Sequence, residues 1–270
     1  MRVAFQGEPG SFSEEAVLKF FGEVELIPER KLSQVFEDVE RDIASFGMIP
    51  VENSQAGSIN ESYDLLLKYD LFIYGELDLR VSHSLLALPG QRLEDIKRVY
   101  SHPQALAQCE EFLEKLGAEI IPTYDTAGSA KMIKEKKLLG AGAIASKRAS
   151  EIYGLSVLAE GIESNPQNFT KFFAISKKRA PKGKENKTSI IFGTKNIPGA
   201  LYRCLGAFAE RRINLTKLES RPTKDKPWEY IFYLDFEGHI DDKPVKEALE
   251  DIKDKTTFLK ILGSYPKFKS

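Results

Sequence analysis

Gly47-Met48-Ile49-Pro50-Val51-Glu52-Asn53-Ser54 is the stretch whose reading decides the fold. Five largely apolar residues run straight into three polar ones, the pattern of a buried strand that ends in a functional loop. A helical pattern precedes it, from about Ser33 to Arg41, and another follows through Asp64–Leu67. Arg2 to Gln6 repeats the arrangement: a short buried strand, the turn Gly7-Glu8-Pro9-Gly10-Ser11, and a helix through Phe21 opened by Ser11 and Glu14 at capping-box spacing. A strand is expected near Glu25–Ile27. Strands alternating with helices predict a mostly parallel α/β sheet. Ligands of such sheets bind beyond the carboxyl ends of the strands, so the turns 7–11 and 52–58 are candidate binding loops.

From Leu71 to Leu88 the sequence is strand-like with interruptions and reads as a crossing into a second lobe. That lobe is expected to hold strands at Arg98–Ser101, Glu119–Pro122 and Ala141–Ala145. Its helices are expected at Pro103–Leu116, Thr126–Lys136 and up to Tyr153. Strands at Val157–Glu160 and Phe169–Ser176 should return the chain to the first lobe. Lys177 to Asn186 is rich in charge, with Pro181 and Gly183, and reads as a solvated linker. The tail then orders itself as strand Thr188–Thr194, helix from Pro198-Gly199-Ala200 to Arg211, strand Leu215–Ser220, strand Trp228–Phe236, helix Pro244–Lys253 and strand Phe258–Gly263. That is the ferredoxin-like β-α-β-β-α-β unit, poor in acid/base pairs and better suited to regulation or dimerisation.

At 270 residues, with 42% hydrophobic and 29% charged side chains, one large domain or two smaller ones are expected. A net charge of −1 gives no reason to expect nucleic acid or an anionic membrane as partner. The opening Met1 to Gly7 reads as a strand and turn rather than a signal peptide, and no run approaches the ~18 apolar residues of a membrane span. Cys109 and Cys204 fall on different expected helices and read as buried thiols of a reducing cytoplasm, which is the expected location. Three scattered histidines and no cysteine cluster argue against a metal site, and no cofactor is expected.

Three polar clusters follow expected strands: Glu52-Asn53-Ser54, Ser101-His102-Pro103-Gln104, and Asn168-Phe169-Thr170-Lys171-Phe172-Phe173. Asp125-Thr126 adds a fourth. Alternation puts Phe169, Lys171 and Phe173 on one strand face and Thr170 and Phe172 on the other. Hydroxyls, amides, an imidazole and one lysine suit a small anion, while each group singly also suits a cap or a turn. His83 and His102 read as structural hydrogen-bonding groups or as acids. A serine elbow, a Walker loop and a dinucleotide fingerprint are all missing. Binding, elimination or isomerisation of a small polar anion remains.

These blocks resemble the prephenate dehydratases. The likeness rests on Gly7-Glu8-Pro9-Gly10-Ser11-Phe12-Ser13, on Pro50 to Ser54 with Gly57, and on His83-Ser84-Leu85. It continues through Ser101 to Leu106 with Gln108-Cys109, Ala143 to Ser146, Tyr153-Gly154-Leu155 and Thr170-Lys171-Phe172. The tail resembles the ACT domain of these enzymes at Pro198-Gly199-Ala200-Leu201 and Glu219-Ser220-Arg221-Pro222. The resemblance implies a two-lobed α/β catalytic domain like periplasmic binding proteins, spanning 1–177, with one lobe at about 1–80 and 160–177 and the other at about 81–159. A linker at 178–186 and a ferredoxin-like ACT domain at 187–270 complete it.

The implied activity is decarboxylative dehydration of prephenate to phenylpyruvate in phenylalanine biosynthesis. Thr170 is implied as the group that donates to the departing hydroxyl. Asn53, Ser54, Ser101, Gln104, Thr126, Asn168, Lys171 and Phe172 are implied to bind substrate. Glu52, beside two substrate carboxylates, is expected to support Asn53 or a backbone amide. Lys171 stands where the family usually has arginine, which exchanges a planar two-pronged clamp for a point charge. Ser62 replaces a common threonine and keeps the hydroxyl. In the tail, Asn196, Pro198, Gly199, Ala200, Leu201, Asn214, Glu219, Ser220 and Arg221 are implied to bind L-phenylalanine as effector, between ACT units of a homodimer or homotetramer. Arogenate dehydration, or a non-catalytic small-molecule sensor on the same fold, are the alternatives.

Overall fold

The protein alternates β1 (Arg2–Gln6), α1 (Phe12–Phe21), β2 (Glu25–Glu29), α2 (Leu32–Glu40) and β3 (Phe46–Asn53). The chain continues through β4 (Gly57–Ser58), α3 (Asn60–Lys68), β5 (Phe72–Arg80), β6 (Ser84–Ala87) and β7 (Arg98–Ser101). Next come α4 (Pro103–Gln108), α5 (Glu110–Leu116), β8 (Glu119–Pro122), α6 (Thr126–Lys136), β9 (Ala141–Ala145), α7 (Lys147–Tyr153), β10 (Ser156–Glu160) and β11 (Phe169–Ser176). The last part is β12 (Asn186–Thr194), α8 (Ala200–Ala209), β13 (Leu215–Pro222), β14 (Tyr230–Glu237), α9 (Lys243–Lys253) and β15 (Thr256–Pro266). This computed structural model describes residues 1–223 and 229–268, so Trp228, at the head of one expected strand, lies outside the described residues.

The chain divides into two compact units: Met1–Ser62 with Leu77–Phe172, and Tyr63–Glu76 with Phe173–Ser270. The first unit contains two α/β lobes. In one lobe the sheet order is β2-β1-β3-β11-β5, with β4 paired to β3. β1 pairs in parallel with both β2 and β3. Val3, Phe5, Met48, Ile49 and Val51 of its strands are fully buried, as are Val17 of α1 and Phe36 of α2.

The second lobe is a sheet ordered β10-β6-β9-β7-β8. Its residues show the two-residue period of strands with both faces covered. Leu85, Val99 and Ile144 join the cluster of Leu106 and Leu113 from α4 and α5. Their neighbours Leu86, Tyr100, Ala143 and Ala145 join the cluster of Ala127, Ala130, Ile133 and Ala149 from α6 and α7. Pairing here is mixed: β7 is parallel to β8 and β9, while β6 is antiparallel to β9 and β10. The alternation of elements predicts mostly parallel strands. β6 departs because it arrives from β5 of the other sheet over three residues, with no crossover helix to set it parallel.

The single helix expected over Pro103–Leu116 is broken at Cys109, whose φ of −112° and ψ of 19° leave the helical region. The Gln108 carbonyl there accepts from Ser164 N at 2.8 Å instead of continuing the helix ladder.

In the second unit β12-α8-β13-β14-α9-β15 build the expected ferredoxin-like sheet, ordered β13-β14-β12-β15. Ile190, Phe192, Leu234 and Phe236 pack against Cys204 and Phe208 of α8 and Val245 and Ile252 of α9. The opposite face carries Ile191, Tyr233 and Tyr265, all buried. Tyr233 Oη donates to the Tyr63 carbonyl at 3.0 Å, and Lys260 Nζ donates to the carbonyls of Leu66, Leu67 and Tyr69 at the end of α3. Gly263 has to be glycine, because a Cβ there would sit 2.4 Å from the Ile73 carbonyl oxygen.

Candidate active site

β3 turns back on itself through β4, and Asn53 shapes the turn. Its Oδ1 accepts from the backbone amides of Gln55 and Ala56 at 3.1 and 3.0 Å, the Asx-type bonding that asparagine offers a tight loop. Its Nδ2 reaches β11. There it donates to Asn168 Oδ1 at 2.9 Å, Phe169 O at 3.2 Å and Thr170 Oγ1 at 3.1 Å. Ser54 fastens the same two segments. Its amide donates to the Phe169 carbonyl, its hydroxyl donates to the Gln167 carbonyl, and its Oγ accepts from Phe169 N.

Gln108, at the end of α4, completes the network. Its Oε1 accepts from Asn168 Nδ2 at 3.0 Å, and its Nε2 donates to Asn53 Oδ1 at 3.4 Å. His83 Nε2 lies 2.9 Å from the same Oε1 and is therefore the protonated nitrogen, leaving Nδ1 as an acceptor. Nδ1 is buried and has no hydrogen-bond partner. Burial holds the His83 pKa below its ordinary value, so the ring is neutral at neutral pH. Burial pushes the adjacent Cys109 thiol up to about 12, which removes it as a nucleophile.

Of this network, Asn53, Thr170, Gln108 and His83 wall a cavity of about 200 Å³. Asn53, Gln104, Thr126, Thr170 and Phe172 line it, with Phe12, Ser13, Ile59, His83, His102 and Gln108. A second cavity of about 360 Å³ shares Phe12, Ser13, His102 and Thr126 as walls and adds Gly7, Glu8, Glu29, Arg30 and Asp125. Three helix starts face this space: α1 with Ser11 as N-cap, α4 with His102 and α6 with Asp125. Their first-turn amides favour anionic groups. The Gly7–Ser11 turn is fixed by Tyr153 Oη to Pro9 O at 2.8 Å and Gly10 N to Glu14 Oε2 at 2.7 Å. Gly10, at φ 86°, passes so near α7 that a Cβ would stand 2.8 Å from Ala149 Cα.

Four of the residues read from the sequence lie elsewhere. Ser101 is fully buried and donates to the Ile144 carbonyl at 2.7 Å. Asn168 is fully buried behind Asn53. Ser54 is spent on β11. Lys171, on the face opposite Thr170, pairs with Asp78 Oδ1 at 2.7 Å. Glu52 pairs with Ser58 in the β3–β4 hairpin. Sequence reasoning missed Ser13, Ile59 and Arg30 as lining groups. Ser13 follows the turn after β1 and Arg30 directly follows β2, and that position at a strand's carboxyl end was the available signal.

In the tail, Gly199 caps α8 at φ 75°, and Arg203 Nη1 donates to the Pro198 carbonyl at 3.3 Å. Asn196, Ile197, Pro198 and Gly199 are exposed, while Ala200 is buried and Leu201 packs on the α8 side of the sheet. The Asn214 carbonyl accepts from Glu237 N at 2.9 Å. Glu219 pairs with Lys217 at 3.1 Å, Ser220 stands opposite Phe232, and Arg221 pairs with Asp64 at 3.1 Å. β13, which carries these three, is an outer strand of its sheet.

Among the described residues no group of histidine, cysteine and carboxylate side chains is arranged to hold a metal ion, and no helix is long and apolar enough to cross a membrane.

Residues 3–180 match the family model described as prephenate dehydratase, and residues 188–254 match the ACT domain. Arogenate dehydratase/prephenate dehydratase 2, chloroplastic, of Arabidopsis thaliana is 43% identical over 277 residues, covering 98% of this chain and 73% of that protein. The solved structure of prephenate dehydratase in complex with L-Phe from Arthrobacter aurescens superposes with a TM-score of 0.91 at 32% identity, over 98% of this chain and 90% of that one. A solved structure described as GqqA, a novel type of quorum quenching acylase, superposes with a TM-score of 0.92 at 34% identity, over 99% and 98%. With its catalytic and ACT blocks matched in order along one chain, this protein belongs to the prephenate dehydratase family.

Proposed function

We propose that this family member converts prephenate to phenylpyruvate, carbon dioxide and water. The observation that carries the reading is Thr170 Oγ1, on the cavity wall and accepting from Asn53 Nδ2 at 3.1 Å. An oxygen that accepts a hydrogen bond becomes a better donor through its own proton. The Thr170 hydroxyl is thereby turned towards the cavity and strengthened as a donor to the substrate's ring hydroxyl.

In the reaction the ring C–O bond and the bond to the ring carboxylate both break. The electron pair from the carbon–carboxylate bond enters the ring, which becomes aromatic. The departing hydroxyl takes one proton, ultimately from solvent, and leaves as water. Thr170 lowers the barrier as a positioned donor in a site partly closed to water, a contribution of the oxyanion-hole kind. His83, neutral and buried, orients Gln108 and supplies no proton. Phe172 and Ile59 give the ring an apolar wall.

Arogenate is the second reading, because the Arabidopsis relative carries both activities in its name. The tail is proposed to bind L-phenylalanine at the start of α8 and along β13, through residues 196–201, Asn214 and Glu219 to Arg221, within a homodimer or homotetramer. Support comes from the ACT match and from the Arthrobacter structure, which is a complex with L-Phe. The proposed domain limits are 1–177, 178–186 and 187–270, and the proposed location is cytoplasmic.

Purified protein is incubated with prephenate and, separately, with arogenate, with and without phenylalanine. Phenylpyruvate absorbance and phenylalanine formation are followed. Turnover of prephenate that responds to phenylalanine is expected. Turnover of arogenate alone selects the second reading, and turnover of neither ends the dehydratase assignment.

A further inference from the structure

The two cavities need a counter-charge for a dianion, and the residue expected to provide it is engaged elsewhere. Lys171 is absent from both cavity walls and pairs with Asp78 at 2.7 Å. Lys131 is bound to Glu8 at 2.9 Å, and Arg148 to Glu14 at 2.6 Å. Among the described residues that line the two cavities, Arg30 is the one lysine or arginine. It directly follows β2, at the strand's carboxyl end, and its guanidinium makes no hydrogen bond or ion pair with the described residues.

The carboxylates around it do not compete strongly. Glu8 is held by Lys131 and by Tyr124 Oη, and Asp125 accepts from the amides of Glu8, Ala127 and Gly128. Glu29 has its pKa raised by burial and then by neighbouring Asp38, with which it shares a hydrogen bond.

The shape of the substrate supplies the direction. In the proposed reaction the leaving hydroxyl sits on the ring carbon opposite the one that bears both the ring carboxylate and the three-carbon acid side chain. With the hydroxyl at Thr170 in the smaller cavity, both carboxylates point away from β11. They enter the larger cavity, past the shared walls Phe12, Ser13, His102 and Thr126.

We infer that Arg30 is the cationic anchor of this site, binding a substrate carboxylate at the end opposite Thr170, and that Lys171 does not fill this role. The inference rests on the dehydratase reading. Arginine suits the task because its planar fork binds a carboxylate through two parallel bonds. Arg30 is exposed at the rim and touches no reacting atom, so it acts on binding and contributes equally to ground and transition states. Both prephenate and arogenate carry the two carboxylates, so the anchor serves either substrate.

The test compares the intact chain with Arg30→Ala and Arg30→Lys. For Arg30→Ala, KM for the substrate that is turned over should rise about two- to fivefold, the scale of one exposed charge pair, with kcat within about 1.5-fold. Arg30→Lys should recover part of the loss. Added salt should raise the wild-type KM and leave that of Arg30→Ala nearly flat. The melting temperature should not move, since the Arg30 guanidinium makes no hydrogen bond or ion pair with the described residues. An unchanged KM in Arg30→Ala, with normal wild-type turnover, overturns the anchor and leaves the dehydratase reading standing. If the wild type turns over neither substrate, the dehydratase reading fails by itself. The anchor is then judged by calorimetric titration of prephenate and arogenate: weaker binding to Arg30→Ala supports it, and equal or absent binding to wild type and variant overturns it.

Discussion

Asn53 Nδ2 stands 3.1 Å from Thr170 Oγ1, while the Oδ1 of the same side chain accepts the amides of Gln55 and Ala56. One asparagine thus sets both the turn after β3 and the orientation of the hydroxyl on β11. Asn53→Asp keeps the acceptor and loses the donor, and it should lower kcat more than it raises KM. A drop of about 100-fold is expected, the scale of losing one positioned donor. Thr170→Ala should remove most turnover while prephenate still binds, and Thr170→Ser should retain part of it. Steady-state kinetics with binding titration check both. Unimpaired Thr170→Ala would remove the hydroxyl from the chemistry.

Lys171→Arg should remain active and folded, because Asp78 accepts either cation and the pair lies off the cavity. Lys171→Met should lower stability by at most about 1 kcal/mol, as both partners are partly exposed. Denaturant titration measures the second effect and turnover the first. A KM rise for Lys171→Met larger than for Arg30→Ala would return the carboxylate role to Lys171.

His83 gives the fold a pH dependence with a definite sign. Burial holds its folded pKa below the ordinary value near 6.5, so the unfolded chain takes up the proton first as pH falls. The stability associated with neutral His83 is complete above about pH 6.5 and is lost as pH falls from there through the lower folded pKa. A His83→Gln variant should show a flatter acid limb between about pH 7 and 5 in denaturation midpoints. An identical acid limb in both proteins would contradict the neutral assignment.

Lys187 and Glu76 form an ion pair of 2.7 Å in the second unit, with side chains only 7% and 4% exposed. Beside them Asp235, also buried, has its pKa raised by desolvation, opposed first by Lys187. Lys187→Met removes the buried cation that pairs with Glu76 and stands first among the groups opposing the burial of Asp235, and should destabilise by about 3–5 kcal/mol. The double variant Lys187→Met with Glu76→Gln should cost less than the sum of the two single changes. Chemical denaturation of all four proteins closes the cycle, and additivity would show that the pair carries no coupling.

The alternation of strands and helices, the capped starts of α1 and α6 and the ferredoxin-like tail were all legible in the sequence. Each depends on neighbours within a few residues, such as Ser11 capping Glu14 N or Pro198 and Gly199 preceding α8. The break at Cys109 was not legible, because it depends on Ser164 N taking the Gln108 carbonyl from 56 positions away. Nor was the fate of Ser101, which is set by the carbonyl of Ile144 on the neighbouring β9.

The sequence by itself determined the fold class, the family and a set of polar side chains, among them Thr170. Those follow from periodicity, local capping and motif order, which a linear chain carries in full. Which of those side chains share a wall was decided only by tertiary structure. Asn53 and Thr170 meet because β3 and β11 are neighbours in one sheet, whereas strand alternation turns Lys171 away to Asp78. Arg30, inconspicuous in the sequence, becomes a cavity cation because β2 ends there. A side chain's role depends on which partners the folded chain brings within hydrogen-bond reach, and spacing along the sequence does not encode that distance.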